Sequence, residues 1–449
     1  MKYDSIIIGF GKGGKTLAGY LAKQGEKVAL VEKSSNMYGG TCINVGCIPS
    51  KSLVKNGDLS AALKTSFSEK KEFYRKAIEE KNQLTAMLRE KNYRKLADLE
   101  SLTVIDGKAE FINQNTLKII GDKEEIIAEG EKIFINTGAY PFLPPIQGIE
   151  KNENVFTSET LMDLKELPEK LAIIGGGYIG LEFASIYASM GSKVSVIDGS
   201  DEFLSREDED IAEKIRQILE NKGIKILSGA RAEKVEEDTL FYKKNEEVFS
   251  LEKTKILIAT GRRPNTKDLK LDKAGVNVDD KGLIEVDENN KTTAENIWAL
   301  GDVAGPQQFT YISLDDFRIV KSSLRDEGKY NKDKRKNVPY SVFISPSFSR
   351  VGLNEKEAKK QGLNYKIFKM ETSAIPKAQV LQSPEGMLKA LVEEKTGKIL
   401  GAMLICEESH EMINLVKLAM DLGADYTVLR DNIYTHPTMM EAFNDLFQG

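Results

Sequence analysis

The sequence contains few of the residues from which metal sites and disulfide scaffolds are built. Its 449 residues include only three cysteines and two histidines. Three cysteines cannot make a disulfide scaffold, so we expect the protein in the reducing cytosol. Lys and Arg number 64 against 69 Asp and Glu, a net charge of -5. The chain therefore lacks the basic field that binding to nucleic acid requires.

Long hydrophobic runs are also absent. Apolar segments such as 5–8 and 255–259 have the length of strands, and none approaches the length of a membrane span. The N-terminus leads directly into a glycine-rich turn, so we expect no signal peptide. With 41% hydrophobic and 30% charged residues, the composition is typical of a globular protein. The length predicts about two to four domains.

A strand–turn–helix–strand pattern occurs twice. Residues 5–8 predict a buried strand, followed by a glycine-rich turn, a helix over 15–23 and a strand that ends on an acid. The same order returns from residue 171, and 23 positions separate the first glycine from the acid in both copies (9 to 32, 175 to 198). The motif residues are Gly9, Gly11, Gly14 and Glu32, then Gly175, Gly177, Gly180 and Asp198.

This pattern is typical of βαβ units that bind dinucleotides. Glycines let backbone N–H groups approach a pyrophosphate at a helix N-terminus, and the acid accepts hydrogen bonds from an adenosine ribose. One such motif is a weak signal, because the glycines can be simple turn residues. Two motifs with the acid in register favour a protein that binds two dinucleotides.

We predict an α/β protein with two Rossmann-like dinucleotide-binding domains and a C-terminal α+β domain. The glycine motifs stop before residue 335, and alternating strands with two C-terminal helices follow. The predicted segments are 1–150 for the first nucleotide domain, 151–267 for the second, 268–334 as a return to the first, and 335–449 for the last domain.

Two cysteines, Cys42 and Cys47, lie five positions apart just after the first acid. Pro49 predicts a helix that begins right after Cys47, and a helix N-terminus lowers the pKa of a thiol. A closed zinc site needs about four ligands, and after this pair only Cys406, His410 and His436 offer soft ones. We predict a redox-active dithiol and no metal, with a metal site and a structural disulfide as the alternatives.

Three charged residues and a histidine are further candidates. Glu182 is the only charge between 171 and 190, inside an apolar helix where a carboxylate needs a partner. We predict that it pairs with Lys51, four positions after Cys47, and so joins the two nucleotide units. His436 is the candidate base because Glu441, five positions later, can orient its ring. A structural role for His436 is the alternative.

On these motifs the whole chain resembles the flavoprotein disulfide reductases, the family of glutathione reductase, lipoamide dehydrogenase and mercuric reductase. The resemblance implies that FAD is bound by Gly9, Gly11, Gly14, Glu32, Gly40, Thr41, Lys51, Thr137, Gly138 and Asp302. It implies that the nicotinamide cofactor is bound by Gly175, Gly177, Gly180, Asp198 and Gly261, with Tyr178 gating its pocket.

The resemblance also implies the catalytic roles. Cys47 is expected to face the flavin as the charge-transfer thiol, and Cys42 to meet the substrate as the interchange thiol. Lys51, paired to Glu182, is expected beside the reactive flavin nitrogen. The base, His436 with Glu441, acts in this family on the cysteines of the other subunit, which implies a homodimer formed by the C-terminal domain.

The identity of the reductant follows from charge. Asp198 accepts a hydrogen bond from a ribose 2′-hydroxyl but repels a 2′-phosphate, and residues 199–204 contain no arginine to bind that phosphate. Arg206 is the nearest candidate. We therefore predict a preference for NADH, with NADPH as the alternative.

The substrate is suggested by three segments, 307–316, 335–343 and 409–414, which resemble the bacterial reactive-chlorine-resistance reductases. That resemblance implies hypothiocyanous acid as the oxidant. The alternatives are a copper(II) or mercury(II) reductase, a lipoamide dehydrogenase and, outside enzymes, a flavin-containing redox sensor. Mercuric reductases carry a C-terminal cysteine pair, whereas this chain has no cysteine after Cys406.

Overall fold

The computed structural model describes residues 1–63, 65–325 and 328–448. Within them the helices are α1 Lys12–Lys23, α2 Thr41–Asn44, α3 Cys47–Ala62, α4 Phe67–Ala97, α5 Ser158–Leu161, α6 Tyr178–Met190, α7 Glu209–Asn221, α8 Thr310–Arg325, α9 Glu355–Lys360, α10 Pro376–Val380, α11 Ser409–Asp421, α12 Thr427–Arg430 and α13 Ala442–Leu446. The strands are β1 Lys2–Ile8, β2 Val28–Glu32, β3 Leu102–Asp106, β4 Lys108–Asn113, β5 Thr116–Ile120, β6 Glu125–Ile135, β7 Ala139–Pro141, β8 Val155–Thr157, β9 Lys170–Ile174, β10 Lys193–Asp198, β11 Lys225–Ser228, β12 Arg231–Glu236, β13 Thr239–Lys244, β14 Glu247–Leu251, β15 Lys255–Ile258, β16 Arg262–Pro264, β17 Ile297–Ala299, β18 Tyr340–Val342, β19 Phe348–Gly352, β20 Tyr365–Glu371, β21 Met387–Glu393 and β22 Ile399–Ile405.

The chain divides into two compact units. The first unit comprises 1–52, 76–142 and 261–335, and the second comprises 53–75, 143–260 and 336–449. Within the described residues, no helix is both long enough and apolar enough to cross a membrane.

The first unit is built on a seven-stranded sheet ordered β3-β2-β1-β6-β5-β4, with β17 also paired to β6. β1 runs parallel to both β2 and β6. Its side chains alternate between the two faces, so Ile6 and Ile8 pack in one core cluster and Ile7 in another. Burial on both faces explains why this strand reads as a continuous apolar run.

The second unit repeats the arrangement. Its five-stranded parallel sheet has the order β11-β10-β9-β15-β8, and β9 lies between β10 and β15 as β1 lies between β2 and β6. The helix after the first strand, α1 or α6, begins directly after the glycine turn in both copies. The predicted pair of Rossmann-like folds is therefore confirmed, although α1 begins at Lys12 and not at residue 15.

The C-terminal residues of the second unit form an antiparallel sheet ordered β18-β19-β22-β21-β20. The buried side of that sheet packs with α11 around Leu388, Ala402 and Val416. The α+β class is confirmed. The prediction of two helices here was too low, since the described part contains α9 to α13, most of them single short turns.

Candidate active site

Both cysteines of the predicted pair lie at helix starts in the first unit. Cys42 is in the short helix α2 and Cys47 is the first residue of α3, as the sequence predicted to within one position. They are not joined by a disulfide, Cys42 is half-buried and Cys47 is exposed, and the two side chains are hydrogen-bonded to each other.

Thr310, the first residue of α8, lies against the two sulfurs. Its Oγ1 is 3.5 Å from Cys47 Sγ, and its hydroxyl also bonds Cys42 and lowers the pKa of that thiol. Tyr311 is close enough to Cys47 for the sulfur to raise the pKa of its phenol, after the larger effect of burial. The sequence singled out neither residue, because Thr310 and Cys47 are 263 positions apart.

The two thiols have different surroundings. The hydrogen bond with Cys47 and burial both raise the pKa of Cys42, and this outweighs the opposite effects of Thr310 and Lys15. Cys47, by contrast, stands at the N-terminus of a 16-residue helix, where the helix dipole favours a thiolate. When the pair carries one negative charge, that charge is therefore favoured on the sulfur of Cys47, and Cys42 S–H donates a hydrogen bond to it.

The first glycine turn is closed by two polar side chains. Gly9 has φ +105, and a Cβ there would lie 2.3 Å from Asn136 O, so glycine is required. Gly14 N donates to Asn136 Oδ1 at 2.9 Å, and Gly13 N donates to Ser313 Oγ at 3.0 Å. Gly11, the N-cap residue, offers no side-chain cap, which suits a turn that presents amides to a pyrophosphate.

The acid of the first motif lies beside that turn. Glu32 is 7% exposed, and its carboxylate accepts bonds from Phe10 N at 3.0 Å and Ser34 N at 3.3 Å. Burial raises the pKa of Glu32 and outweighs these backbone bonds. The side chain is thereby held where a ribose would extend from the turn.

Other predicted FAD ligands gather in the same unit. A Cβ on Gly40 would meet Gly11 Cα at 2.7 Å, and one on Gly138 would lie 3.9 Å from Thr41 Oγ1. Thr137 Oγ1 is engaged as a donor to Asn265 O at 2.8 Å.

The predicted ribityl ligand lies in the turn after β17. Burial raises the pKa of Asp302, with Arg262 opposing and Asp316 adding to the rise. Asp316 Oδ2 accepts a 2.7 Å bond from Gly301 N, and Arg335 pairs with the other oxygen of Asp316. This brace fixes the backbone of the turn that carries Asp302.

The second glycine turn has the same form. A Cβ on Gly175, at φ +116, would lie 2.4 Å from Ala259 O, and one on Gly180 would lie 2.1 Å from Gly175 O. Gly177 faces open space, as the approach of a pyrophosphate requires. A Cβ on Gly176 would lie 2.4 Å from Asp198 Oδ2, so this acid reaches its turn too.

One arginine near Asp198 was missed. Arg231, at the start of β12, brings its Cγ within 3.7 Å of where a Cβ of Gly199 would stand. The sequence argument considered only the residues directly after Asp198. Arg231 follows after more than thirty positions, and no local pattern marks it.

Tyr178, the predicted gate, is the first residue of α6 and is bound to a buried acid. Its hydroxyl donates to Glu207, and its ring stacks on Tyr340 with centroids 5.4 Å apart. Tyr340 Oη also donates to Glu207 at 2.6 Å, and Arg350 Nη1 donates to Glu207 Oε2 at 3.2 Å. The gating role stays a prediction, but the ring position shown depends on Glu207.

Glu182 and Lys51 fall in different units, so their pairing stays a prediction. Glu182 is buried in α6, and its Oε1 accepts a 2.9 Å bond from Phe343 N. Lys51 lies in α3, one turn after Cys47 as predicted. Gly261, the last predicted nicotinamide ligand, has φ +116 and bonds Phe142 N through its carbonyl.

The predicted base and its orienting acid are in contact. His436 Nδ1 and Glu441 Oε2 are 2.8 Å apart, and the histidine side chain is 70% exposed. Burial works to raise the pKa of Glu441, but the bonds from His436 and Thr438 N lower it overall. The carboxylate stays ionised and leaves the other ring nitrogen facing outward.

Three carboxylates elsewhere have the spacing of a metal site: Asp208, Asp210 and Glu355. The ammonium of Lys389, fully buried, lies among them at 2.8 Å from Asp208, 2.9 Å from Asp210 and 2.5 Å from Glu355. An internal cation thus neutralises this cluster.

Comparison with known proteins covers nearly the whole chain. Residues 3–316 match the family model described as pyridine nucleotide-disulphide oxidoreductase, and residues 338–447 match its dimerisation domain. The chain is 49% identical to a probable pyridine nucleotide-disulfide oxidoreductase, RclA, of Escherichia coli over 99% of both chains. It is 33% identical to a mercuric reductase of Bacillus cereus, over 98% of this chain and 70% of that protein. A solved Cu(II) complex of the HOCl-induced flavoprotein disulfide reductase RclA from E. coli superposes with a TM-score of 0.94 at 48% identity, covering 100% of this chain and 99% of that one.

Proposed function

The chain belongs to the pyridine nucleotide-disulphide oxidoreductase family, and from that premise we propose that it uses NADH and FAD to reduce hypothiocyanous acid or a related chlorine oxidant. The observation that carries the proposal is the hydrogen-bonded pair of thiols, Cys42 and Cys47, with Thr310 against both. The similar E. coli protein is described as HOCl-induced, which supports a role in oxidant defence. We propose that this reaction takes place in the reducing cytosol, where the dithiol is regenerated.

The cofactors of the family are FAD and a nicotinamide nucleotide, and the two glycine turns fit them. In the first unit, Gly9, Gly11, Gly14 and Glu32 would hold the ADP half of FAD, and Asp302 would hold its ribityl chain. In the second, Gly177 and Asp198 would hold the nicotinamide nucleotide. Bound FAD supplies two-electron transfer from the nicotinamide to the cysteine pair. We also propose that the segments 1–150, 151–267, 268–334 and 335–449 are the parts from which the protein's domains are built.

The thiols carry out the reduction in two steps. Cys42 thiolate attacks the sulfur of HOSCN, a Cys42–SCN bond forms, and hydroxide leaves. Cys47 thiolate then attacks the Cys42 sulfur, the disulfide forms, and thiocyanate leaves. In sum, two thiols and HOSCN give a disulfide, thiocyanate, water and one proton, so the oxidant takes two electrons from the pair.

The base completes the site in a homodimer. His436, oriented by Glu441, would serve the cysteines of the other subunit by protonating the leaving oxygen or keeping Cys42 ionised. The match to a dimerisation-domain model over 338–447 supports this assembly. The His436 ring is exposed, which is consistent with a role at the cysteines of the other subunit.

NADH is the proposed reductant because Asp198 suits a 2′-hydroxyl. Arg231 is the side chain that opposes this preference, since its Cγ lies beside Gly199 and a guanidinium attracts a 2′-phosphate. Measuring kcat/KM for NADH and NADPH tests the preference. A higher value for NADPH would overturn it.

A second candidate function is the reduction of a metal ion, because solved structures of the similar E. coli protein are complexes with Cu(II). The same two thiols would ligate the ion before electron transfer. Mercury(II) is supported less, since this chain has no cysteine after Cys406.

The test is NADH consumption by the FAD-loaded protein with hypothiocyanous acid, copper(II), lipoamide or glutathione disulfide. We expect rapid turnover with hypothiocyanous acid that is lost in Cys42→Ser. Cys406→Ser is the matched control, because Cys406 is fully buried beside Met412. Turnover with lipoamide alone would assign the protein to dihydrolipoamide oxidation, and turnover with copper(II) alone would favour the second candidate. Absence of turnover with every oxidant would favour a redox sensor.

A further inference from the structure

An asparagine two positions after Cys42 closes the loop that carries this thiol. The side-chain amide of Asn44, the last residue of α2, donates to Gly40 O at 2.9 Å and to Tyr38 O at 3.0 Å. The backbone N–H of Asn44 also donates to Gly40 O, at 3.3 Å. Cys42 therefore lies in the middle of the loop 40–44, whose two ends are joined by side-chain and backbone hydrogen bonds.

The amide of Asn44 is oriented from outside this loop by Arg89 of α4. Arg89 Nε donates to Asn44 Oδ1 at 2.8 Å, and Arg89 Nη1 donates to Asn36 Oδ1 at 3.4 Å. An amide oxygen accepts and an amide nitrogen donates. If the amide were turned over, its nitrogen would face the guanidinium and its oxygen would face two carbonyls. Arg89 therefore fixes the direction in which Asn44 points.

Two further side chains of α4 contact the segment that leads into α2. A Cβ on Gly39 would lie 3.6 Å from Asn92 Cβ, and the ring of Tyr93 stacks on the ring of Tyr38 with centroids 4.7 Å apart. Asn92 and Tyr93 follow Arg89 by three and four positions, so all three side chains share one face of the helix. We call these three side chains the α4 clamp.

The position of Cys42 decides how readily a disulfide with Cys47 closes. The two side chains are hydrogen-bonded in the clamped loop, so they are already neighbours. A disulfide requires the two Cβ atoms to come within about 3.5–4.5 Å of each other. A loop that is held in place reaches this arrangement at a smaller cost in conformational entropy than a loop that moves freely.

We propose that Arg89 is a positioning residue: by orienting Asn44 it holds Cys42 within reach of Cys47 and so favours the disulfide. This inference rests on the proposed function, in which Cys42 and Cys47 form a disulfide as the oxidant is reduced. The clamp acts on the backbone that carries the thiol and leaves the sulfur itself free to meet the substrate.

The test measures the equilibrium between the dithiol and the disulfide. The FAD-loaded protein is equilibrated without oxygen in mixtures of reduced and oxidised dithiothreitol, and the remaining thiols are blocked with N-ethylmaleimide and counted by mass spectrometry. We expect Arg89→Met to destabilise the disulfide about three- to tenfold, because Asn44 loses one of its hydrogen bonds. A tenfold change corresponds to a rise of about 30 mV in the reduction potential.

The control is a second arginine of the same helix. Arg94 is exposed and pairs with Glu90, so Arg94→Met should leave the equilibrium unchanged. Asn44→Ala should destabilise the disulfide at least as much as Arg89→Met does. Combining these two substitutions should add nothing to Asn44→Ala alone, since Arg89 acts through Asn44.

Retained FAD absorbance and an unchanged thermal midpoint establish that each variant is folded. If Arg89→Met does not hold FAD, Arg89→Lys takes its place, because lysine keeps the positive charge but lacks the Nε–H that Asn44 accepts. We expect Arg89→Lys to shift the equilibrium in the same direction by a smaller factor.

An equilibrium in the Arg89 variant that equals that of the natural protein, or that lies further toward the disulfide, would overturn the proposal. Fully additive effects of the Arg89 and Asn44 substitutions would also overturn it, since Arg89 would then act by another route. The expected shift without any turnover of hypothiocyanous acid by the natural enzyme would support the clamp and refute the proposed substrate. The two failures are therefore distinguishable.

Discussion

Replacing Thr310 by valine should weaken Cys42 as a nucleophile. Valine keeps the shape of threonine but removes the hydroxyl that lies 3.5 Å from Cys47 Sγ and also bonds Cys42. A hydroxyl favours the ionised form of the sulfur that it donates to, and Thr310 lowers the pKa of Cys42, so its loss should raise the pKa of Cys42.

The size of the effect follows from the geometry. A hydrogen bond to a charged group contributes about 1.5–3 kcal/mol, and the long, weak bond of a hydroxyl to the half-buried sulfur of Cys42 reduces this to about 1 kcal/mol. Since 1.36 kcal/mol corresponds to one pKa unit, we expect a rise of about 0.7 unit. At a pH below the pKa, this is roughly a fivefold loss of thiolate.

The assay is the pH dependence of oxidant reduction at fixed NADH, together with the ultraviolet absorbance of the thiolate. The profile of Thr310→Val should move to higher pH, with the plateau rate kept once the thiols are ionised. Thr310→Ser retains the hydroxyl and is the control, so it should follow the natural enzyme. A profile of Thr310→Val that coincides with that of Thr310→Ser would refute the reasoning.

Three further outcomes test the structure. Lys389→Met leaves the carboxylates around it without their buried cation, and should lower the free energy of unfolding by about 3–5 kcal/mol, measured by denaturant titration. Burial acts to raise the pKa of Asp210, but Lys369 and Lys389 lower it overall. The ionised carboxylate therefore stabilises the fold at pH values above its ordinary pKa, and this contribution is lost as the pH falls through the lowered value. Acid unfolding below about pH 4 should thus be steeper in the natural protein than in Lys389→Met. Asp316→Asn weakens the brace on the Gly301 amide, and should speed the release of FAD as followed by flavin fluorescence, while the thiol titration stays unchanged.

The repeated fold could be predicted because its signals are local. Each copy needs only a run of strand residues, a glycine turn and an acid 23 positions after the first glycine. The start of α3 and the contact of His436 with Glu441 are equally local: the helix begins within one position of its predicted start, and the contact is confirmed.

The long-range hydrogen bonds around the first glycine turn could not be predicted from local sequence patterns. Asn136 and Ser313 bond amides of the first turn of α1 from 122 and 300 positions away. Lys15 meets Asn92 across 77 positions. Each is an ordinary polar residue in its own segment, and only the parallel sheet order brings its element to the glycine turn. The resemblance of the 307–316 segment to the reactive-chlorine-resistance reductases was the one sign in the sequence that pointed to the region of Thr310.

The position of the dithiol follows from the topology. Both nucleotide units have the same order of parallel strands, so their first glycine turns are equivalent, and the chemistry must differ elsewhere. It differs in the crossover between the second and third strands, where residues 33–101 carry the cysteines and residues 199–224 carry Glu207. In an open parallel sheet, ligands bind at the carboxyl ends of the strands beside the switch point. A segment that leaves the end of β2 returns to that place, and Gly40 contacts Gly11 there. The long first crossover therefore brings Gly40, and the two cysteines that follow it, to the first glycine turn, whereas the shorter second one carries the acid that holds Tyr178.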